Sequence, residues 1–185
     1  MSRDFRLTLR WAVLAASAMA LAGCQTQTHA GRALEAGTST GAVLPADIDR
    51  LTGPAWHGTL TYLDYTSNKP TTIRSGLLVT RLPDADSPAW TFGLSYDEEP
   101  KADQGSKVRL TDNGFNFDDA AVTERTIEPD GTVQITTEED ADDNHRPARL
   151  RHVLRIGEHE CTWQKLVRPG GSAEFFERNI YRWTR

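Results

Sequence analysis

From Trp56 to the end of the chain, apolar and polar side chains alternate with a period of two over most of the sequence. The clearest run is Trp90, Phe92, Leu94 and Tyr96, separated by Thr91, Gly93, Ser95 and Asp97. Successive side chains of an extended strand point to opposite faces, so this run predicts a strand with one face in a core. Trp56–Thr66 and Thr71–Leu82 are rich in β-branched and aromatic residues, and Ser67-Asn68-Lys69-Pro70 between them reads as a turn. Further strands are expected at Lys107–Thr111, Phe115–Asp118, Val122–Glu128, Thr132–Glu138, Ala148–Ile156, Glu160–Arg168 and Glu174–Thr184. Asn113-Gly114 and Asp130-Gly131 suit tight hairpin turns, and Pro169-Gly170-Gly171 is another turn. The only helix expected is a short one near Ala46–Leu51, with Asp47 in its first turn, where an acid suits the helix dipole.

Some nine or ten short strands, spaced by roughly 8–12 residues with no helices between them, predict an all-β domain. An antiparallel meander of that length must manage its edges, by closing into a barrel or folding into two sheets. Sequential hairpins favour the up-and-down β-barrel; a β-sandwich is the alternative.

The alternation is absent before residue 46. Gln25 to Pro45 is dominated by Thr, Gly, Ala and Ser and has no aromatic residue. Such a segment behaves as a flexible tether, with a reach of about 25 Å for some 20 residues. Ahead of it, Arg3, Arg6 and Arg10 precede an uncharged run from Trp11 to Ala22. A run of about 12 residues makes roughly 18 Å of helix, too short for a hydrocarbon core of about 30 Å. A basic start, a short apolar run and small residues at its end describe a secretory signal. Leu21-Ala22-Gly23-Cys24 then resembles the lipobox of bacterial lipoproteins. That resemblance implies cleavage before Cys24 and acylation of its thiol, and two or three acyl chains anchor a protein stably where one does not. Gln25 follows the Cys, where an Asp would direct retention in the inner membrane. The expectation is therefore a lipid-anchored protein on the periplasmic face of the outer membrane. The chain divides into a signal peptide at 1–23, lipidated Cys24 and tether at 24–45, and one β-barrel domain at 46–185.

Removing residues 1–23 takes three Arg and one Asp from 21 basic and 26 acidic side chains, leaving 18 and 25. A mildly acidic chain with no basic stripe offers nothing to nucleic acid. With Cys24 consumed by lipid, Cys161 has no partner within the chain for a disulfide. No nucleophile elbow, glycine-rich phosphate loop, zinc-binding helix or paired-cysteine motif occurs, and nothing calls for a cofactor or a metal. Glu138–Arg146 is densely acidic, but His145 stands where a calcium loop needs Gly and Arg151 where it needs Glu, so a solvated hairpin loop is expected.

A second resemblance concerns the domain itself. Gly53-Pro54-Ala55-Trp56 is similar to the Gly-x-Trp opening of lipocalins and other calycins, although here Trp56 stands three residues from Gly53. The resemblance implies a barrel whose last strand carries an Arg over the Trp, and Arg178 and Arg182 are the candidates. His152 falls in the apolar alternation Ala148, Leu150, Leu154 and Ile156 and should point inward. There it lines a ligand cavity, binds haem iron as in some calycin-like relatives, or is satisfied by a neighbouring carboxylate or hydroxyl. His159 and Cys161, two residues apart, are the only starting point for an enzyme; the alternative makes Cys161 and Trp163 core residues. On the last strand, Glu177, Asn179, Tyr181 and Trp183 are expected on one face, and Phe176, Arg178, Ile180 and Arg182 on the other.

Two functions compete. One is non-enzymatic binding of a small, partly apolar ligand in a cavity of several hundred Å³ lined by Tyr62, Trp90, Phe92, His152 and Tyr181. The other is a cell-envelope interaction or assembly protein that meets an envelope partner through an exposed apolar patch around a solid core.

Overall fold

A computed structural model describes residues 41–83 and 86–185. The signal peptide, Cys24 and most of the tether lie outside the described residues. One short helix, α1 (Pro45–Asp49), precedes ten strands. They are β1 (Trp56–Asp64), β2 (Lys69–Leu82), β3 (Ala89–Tyr96), β4 (Gln104–Thr111), β5 (Asn116–Phe117), β6 (Ala120–Ile127), β7 (Val133–Asp143), β8 (Arg146–Ile156), β9 (Glu160–Pro169) and β10 (Phe176–Thr184). Each pairs antiparallel with its neighbours in chain order, and β10 pairs with β1, so the sheet is a closed up-and-down barrel without free edges.

The acidic stretch expected as a loop is mostly strand. β7 and β8 pair out to Asp143 and Arg146, leaving a two-residue turn at Asn144-His145 with φ of 50° and 61°. Two left-handed residues in succession match the right-handed twist of the flanking strands. The acids stay in the ladder because Glu138 meets cross-strand cations, Arg149 Nε at 3.0 Å and Arg151 Nη2 at 2.6 Å.

Pairing register stacks the inward side chains in levels. One level runs through Val133, Ile156, Cys161, Trp183, Gly58 and Ser75, and the next above it through Ile135, Leu154, Trp163, Tyr181, Leu60 and Ile73. Above them Thr137, His152, Lys165, Asn179, Tyr62 and Thr71 make a polar belt. Gly58 has to be glycine here, because a Cβ on it would stand 1.9 Å from the carbonyl oxygen of Arg182 across the closing seam.

The lower end is plugged. Ile48 and Leu51 are fully buried with Trp56, Trp90 and Trp183 in one apolar cluster. Each buried indole N–H has an acceptor: Trp56 donates to Leu51 O (2.9 Å), Trp90 to Asp49 Oδ1 (2.9 Å) and Trp183 to Ser75 Oγ (3.0 Å). Val43 is buried too, and its N–H donates to Gly114 O at 2.9 Å, so ordered packing begins inside the span assigned to the tether. The guanidinium over Trp56 belongs to Arg185, 4.1 Å from the ring centroid, and not to Arg178 or Arg182. Register explains this: Arg182 pairs with Thr59, whereas Thr184 pairs with His57, so the residue after the strand arrives level with Trp56.

Two bulges change side-chain parity. One, between Val122 and Glu124, brings Arg125 opposite inward Ile135, and its guanidinium forms a two-pronged pair with the Asp47 carboxylate of α1 at 2.7 Å. The other, between Glu177 and Asn179, exchanges the expected faces of Phe176 and Glu177, while Asn179, Tyr181 and Trp183 share the inward face and Ile180 and Arg182 the other, as expected. Phe176 pairs with inward Val167 and Asn179 with inward Lys165, while Glu177 turns out with Leu166. The extra residue is Arg178, and a bulge re-aims such a side chain.

Candidate functional site

The apolar floor and the polar belt meet in a cavity of about 200 Å³ between β5 and β9. Ile135, Leu154, Phe117 and Trp163 form its apolar part, and Thr137, His152, Glu139 and Asp118 its polar part. Local structure places each of these. Asp118 and Asp119 form the β5–β6 turn with φ of 51° and 67°, a two-residue hairpin that leaves Asp118 at the wall. Thr137 and Glu139 follow Ile135 by strand alternation on β7, and Leu154 and His152 do the same on β8. Trp163 stands edge-on to His152, with centroids 6.2 Å apart, and edge-on to Phe92 at 5.8 Å.

Nε2 of His152 is buried and, among the described residues, has no hydrogen-bond partner. Burial pushes the imidazole pKa down to about 4, and the ammonium of Lys165 on the neighbouring strand adds to the effect. The ring is therefore neutral at pH 7. Asp118 is shifted the other way: burial first, and the adjacent charge of Asp119 second, hold its carboxyl above the usual range, while Arg109 only partly opposes them.

Lys165 does not point its charge at the cavity. Its Nζ lies 2.7 Å from Asp143 Oδ1 near the tip of the β7–β8 hairpin. Tyr65 donates its hydroxyl to the same carboxylate, the Arg178 guanidinium lies over the Tyr65 ring at 4.0 Å, and Arg178 also donates to Leu63 O. Burial pushes the Asp143 carboxyl up, but the bonds from Lys165 and Tyr65 and the charges of Lys165 and Arg178 outweigh it and hold the pKa below the usual value. Tyr65 pays the complementary shift, raised to about 12 by burial and by its bond to Asp143.

The residues expected around a ligand separate. His152 lines the cavity. Trp90 and Phe92 are packed into the core at 0% and 1% exposure, and Tyr62 sits half-buried in the belt on β1. Tyr181 stacks on Trp183 with centroids 4.7 Å apart and shares a 2.8 Å hydrogen bond with the Tyr96 hydroxyl. The cavity is smaller than expected because the three tryptophans and the plug fill the lower barrel. Phe117, Asp118, Thr137, Glu139 and Trp163 were not anticipated as its lining. For Trp163 and Thr137 the alternation carried the signal. For Asp118 it did not, because Asp-Asp is an uncommon pair in such a turn. His159 lies in the β8–β9 turn, its side chain 73% exposed, whereas Cys161 is buried on β9 with its thiol pushed up to about 12 by burial. The two share no site, and a thiol so shifted is not a nucleophile at neutral pH.

These observations define a closed ten-stranded β-barrel with a small lined cavity in its upper half. The chain is similar to the crystal structure of Rv2717c from M. tuberculosis, with a TM-score of 0.46 and 11% identity over 78% of this chain and 99% of that one. No protein-family model matches the sequence, and no curated protein matches it either.

Proposed function

We propose that this protein is an exported lipoprotein, lipidated on Cys24 and held at the periplasmic face of the outer membrane, whose barrel binds a small, partly apolar ligand without transforming it. The observation that carries the binding reading is Nε2 of His152, buried and, among the described residues, without a partner beside a cavity of about 200 Å³. A buried polar atom left unpaired costs about 1–3 kcal/mol, so an interior that retains one favours a molecule that satisfies it. The rest of the lining suits the same molecule: apolar below, hydrogen-bonding and charged above.

Native mass spectrometry of the chain from Gln25 onward, exported to the periplasm and purified gently, tests the reading. A mass excess that is lost on denaturation and lost in His152→Leu is the expected result. A clean apo mass from cells grown under several conditions would count against it.

The envelope-partner reading draws on a different observation. Leu44 and Phe115 are 50% and 48% exposed on either side of the Val43–Gly114 bond at the plugged end. Leu44→Ser with Phe115→Ser should abolish capture of an envelope protein if that surface is the functional one, and leave small-molecule retention untouched.

A further inference from the structure

Every strand of the closed ring has two neighbours, yet two strands outrun one of theirs. β4 pairs with β3 over Gln104–Arg109 but with β5 only at Leu110 and Thr111, and one further bond, Asp118 N–H to Arg109 O at 2.9 Å, closes that side. Beyond the β5–β6 hairpin, β6 and β7 pair no higher than Ala121 with Glu138, while β7 and β8 continue to Asp143. The short hairpin therefore leaves a notch in the wall above the Asp118-Asp119 turn, with Gln104–Val108 on one side and Glu139–Asp143 on the other. Each side runs for about five residues, or roughly 17 Å of strand.

The β4 side is shaped to take another strand. Along an antiparallel strand the main-chain groups of successive residues point alternately to its two neighbours. Leu110 N–H donates to Pro88 O on the β3 side, and Arg109 O accepts on the β5 side. By that alternation Ser106 and Val108 serve β3, whereas the N–H and C=O of Gly105 and Lys107 point into the notch. Among the described residues none of these four groups has a hydrogen-bond partner. Gln104 to Lys107 are all exposed, and no atom beyond its chain neighbours lies within 4 Å of where a Cβ on Gly105 would stand. A row of free N–H and C=O groups is a template for a partner strand.

Charge decides which strand. Lys107 stands on the outward face of this edge with Arg109 beside it, and among the described residues Lys107 makes no ion pair. A second copy of the chain brings its own Lys107 to the same face, directly opposite if Lys107 meets Lys107 and on the diagonal if it meets Gly105, so like charges meet in either register. An acidic residue from a different chain meets no such conflict.

We infer that the notch receives an extended segment of another protein, which adds to β4 as a strand and sets a carboxylate opposite Lys107. Main-chain bonds to Gly105 and Lys107 hold the segment, and the two cations select its charge. The inference goes beyond the ligand-binding reading and does not rest on it, because it uses the edge of the wall and not the cavity.

The first test needs no partner. In the full-length chain in mild detergent, hydrogen exchange resolved by NMR should be at least about tenfold faster at the amides of Gly105 and Lys107 than at those of Ser106 and Val108. Slow exchange at all four overturns the open edge. The probe is then a short fluorescein-labelled peptide of alternating Thr and Val with Glu in place of the central Thr, followed by anisotropy. It should bind, slow exchange at Gly105 and Lys107, and bind at least about tenfold more weakly when its Glu is replaced by Lys. N-methylation of its Glu and Thr amides, the set that faces β4, should abolish binding, and N-methylation of its Val amides should not. Lys107→Glu should reverse the charge preference. Gly105→Pro should remove binding and leave the ladder to β3 intact, since the N–H it deletes is one that faces the notch. Binding by neither peptide, equal binding of both, or binding that survives methylation of the Glu and Thr amides overturns strand addition. Dimers in sedimentation that Gly105→Pro dissolves would give the edge to a second copy and overturn the assignment to another protein.

Discussion

At the residue scale, His152 is where the fold tolerates an unsatisfied group, and its pH behaviour is a direct test of how buried it is. The folded pKa of about 4 lies below the ordinary value of 6.5, so the unfolded chain binds more protons between those limits. Stability contributed by the neutral ring is therefore complete above pH 6.5 and is lost as the pH falls toward 4. By pH 5 the loss should be on the order of 2 kcal/mol. Urea unfolding at pH 7 and pH 5 measures it, and His152→Leu should flatten that difference. The paired carboxylates Asp143 and Glu138 have lowered pKa values and lose their contribution below the ordinary carboxylate range, whereas Asp118, held above that range, gains stability as the pH falls and offsets part of the His152 loss. If the wild-type curve is flat from pH 7 to 5, the imidazole is solvated and the cavity assignment weakens with it.

Elements explain why some of this was legible in the sequence and some was not. A period of two names the buried face of a strand residue by residue, so the ten strands and the inward direction of His152 could be read without a structure. The bulges could not. Each inserts one residue into a run of mixed polarity, Val122-Thr123-Glu124-Arg125 or Glu177-Arg178-Asn179, where no clear alternation exists to be broken. Nor could the cavity, whose walls come from five strands and depend on how the levels stack around the closed sheet. The bulge on β6 has a measurable role, because it is what presents Arg125 to Asp47. Their side chains are 15% and 6% exposed, so removing one strands the other in a poorly hydrated site. Asp47→Ala should cost about 3–5 kcal/mol in urea unfolding, while Asp47→Leu with Arg125→Met should recover most of that loss. A loss no larger than that of an exposed ion pair, below about 1 kcal/mol, would mean that α1 is held by its apolar contacts alone.

On the scale of the molecule, the two ends of the barrel are made differently, and the difference bears on how an anchored protein would work. The chain joins the barrel at the end sealed by α1 and the tryptophans, through Val43 on Gly114. The cavity borders the β5–β6 turn, which lies with the β7–β8 and β9–β10 hairpins at the opposite end. A lipid on Cys24 would therefore lie on the side of the chain that enters the closed end through Val43, whereas the cavity lies at the other end of the barrel. Anchoring and binding are then separable. In detergent phase separation the mature wild-type protein should enter the detergent phase, and the chain from Gln25 onward, exported behind a cleavable signal and lacking the Cys, should stay in the aqueous phase, because acyl chains supply the buried methylene groups that hold the domain there. The same lipid-free protein should retain a small molecule as well as wild type does, since the floor and the belt belong to the barrel alone. Wild-type protein found in the aqueous phase would end the lipoprotein assignment. An affinity that fell with the anchor would mean that the cavity and the tethered end act together, and that the membrane surface is part of the site.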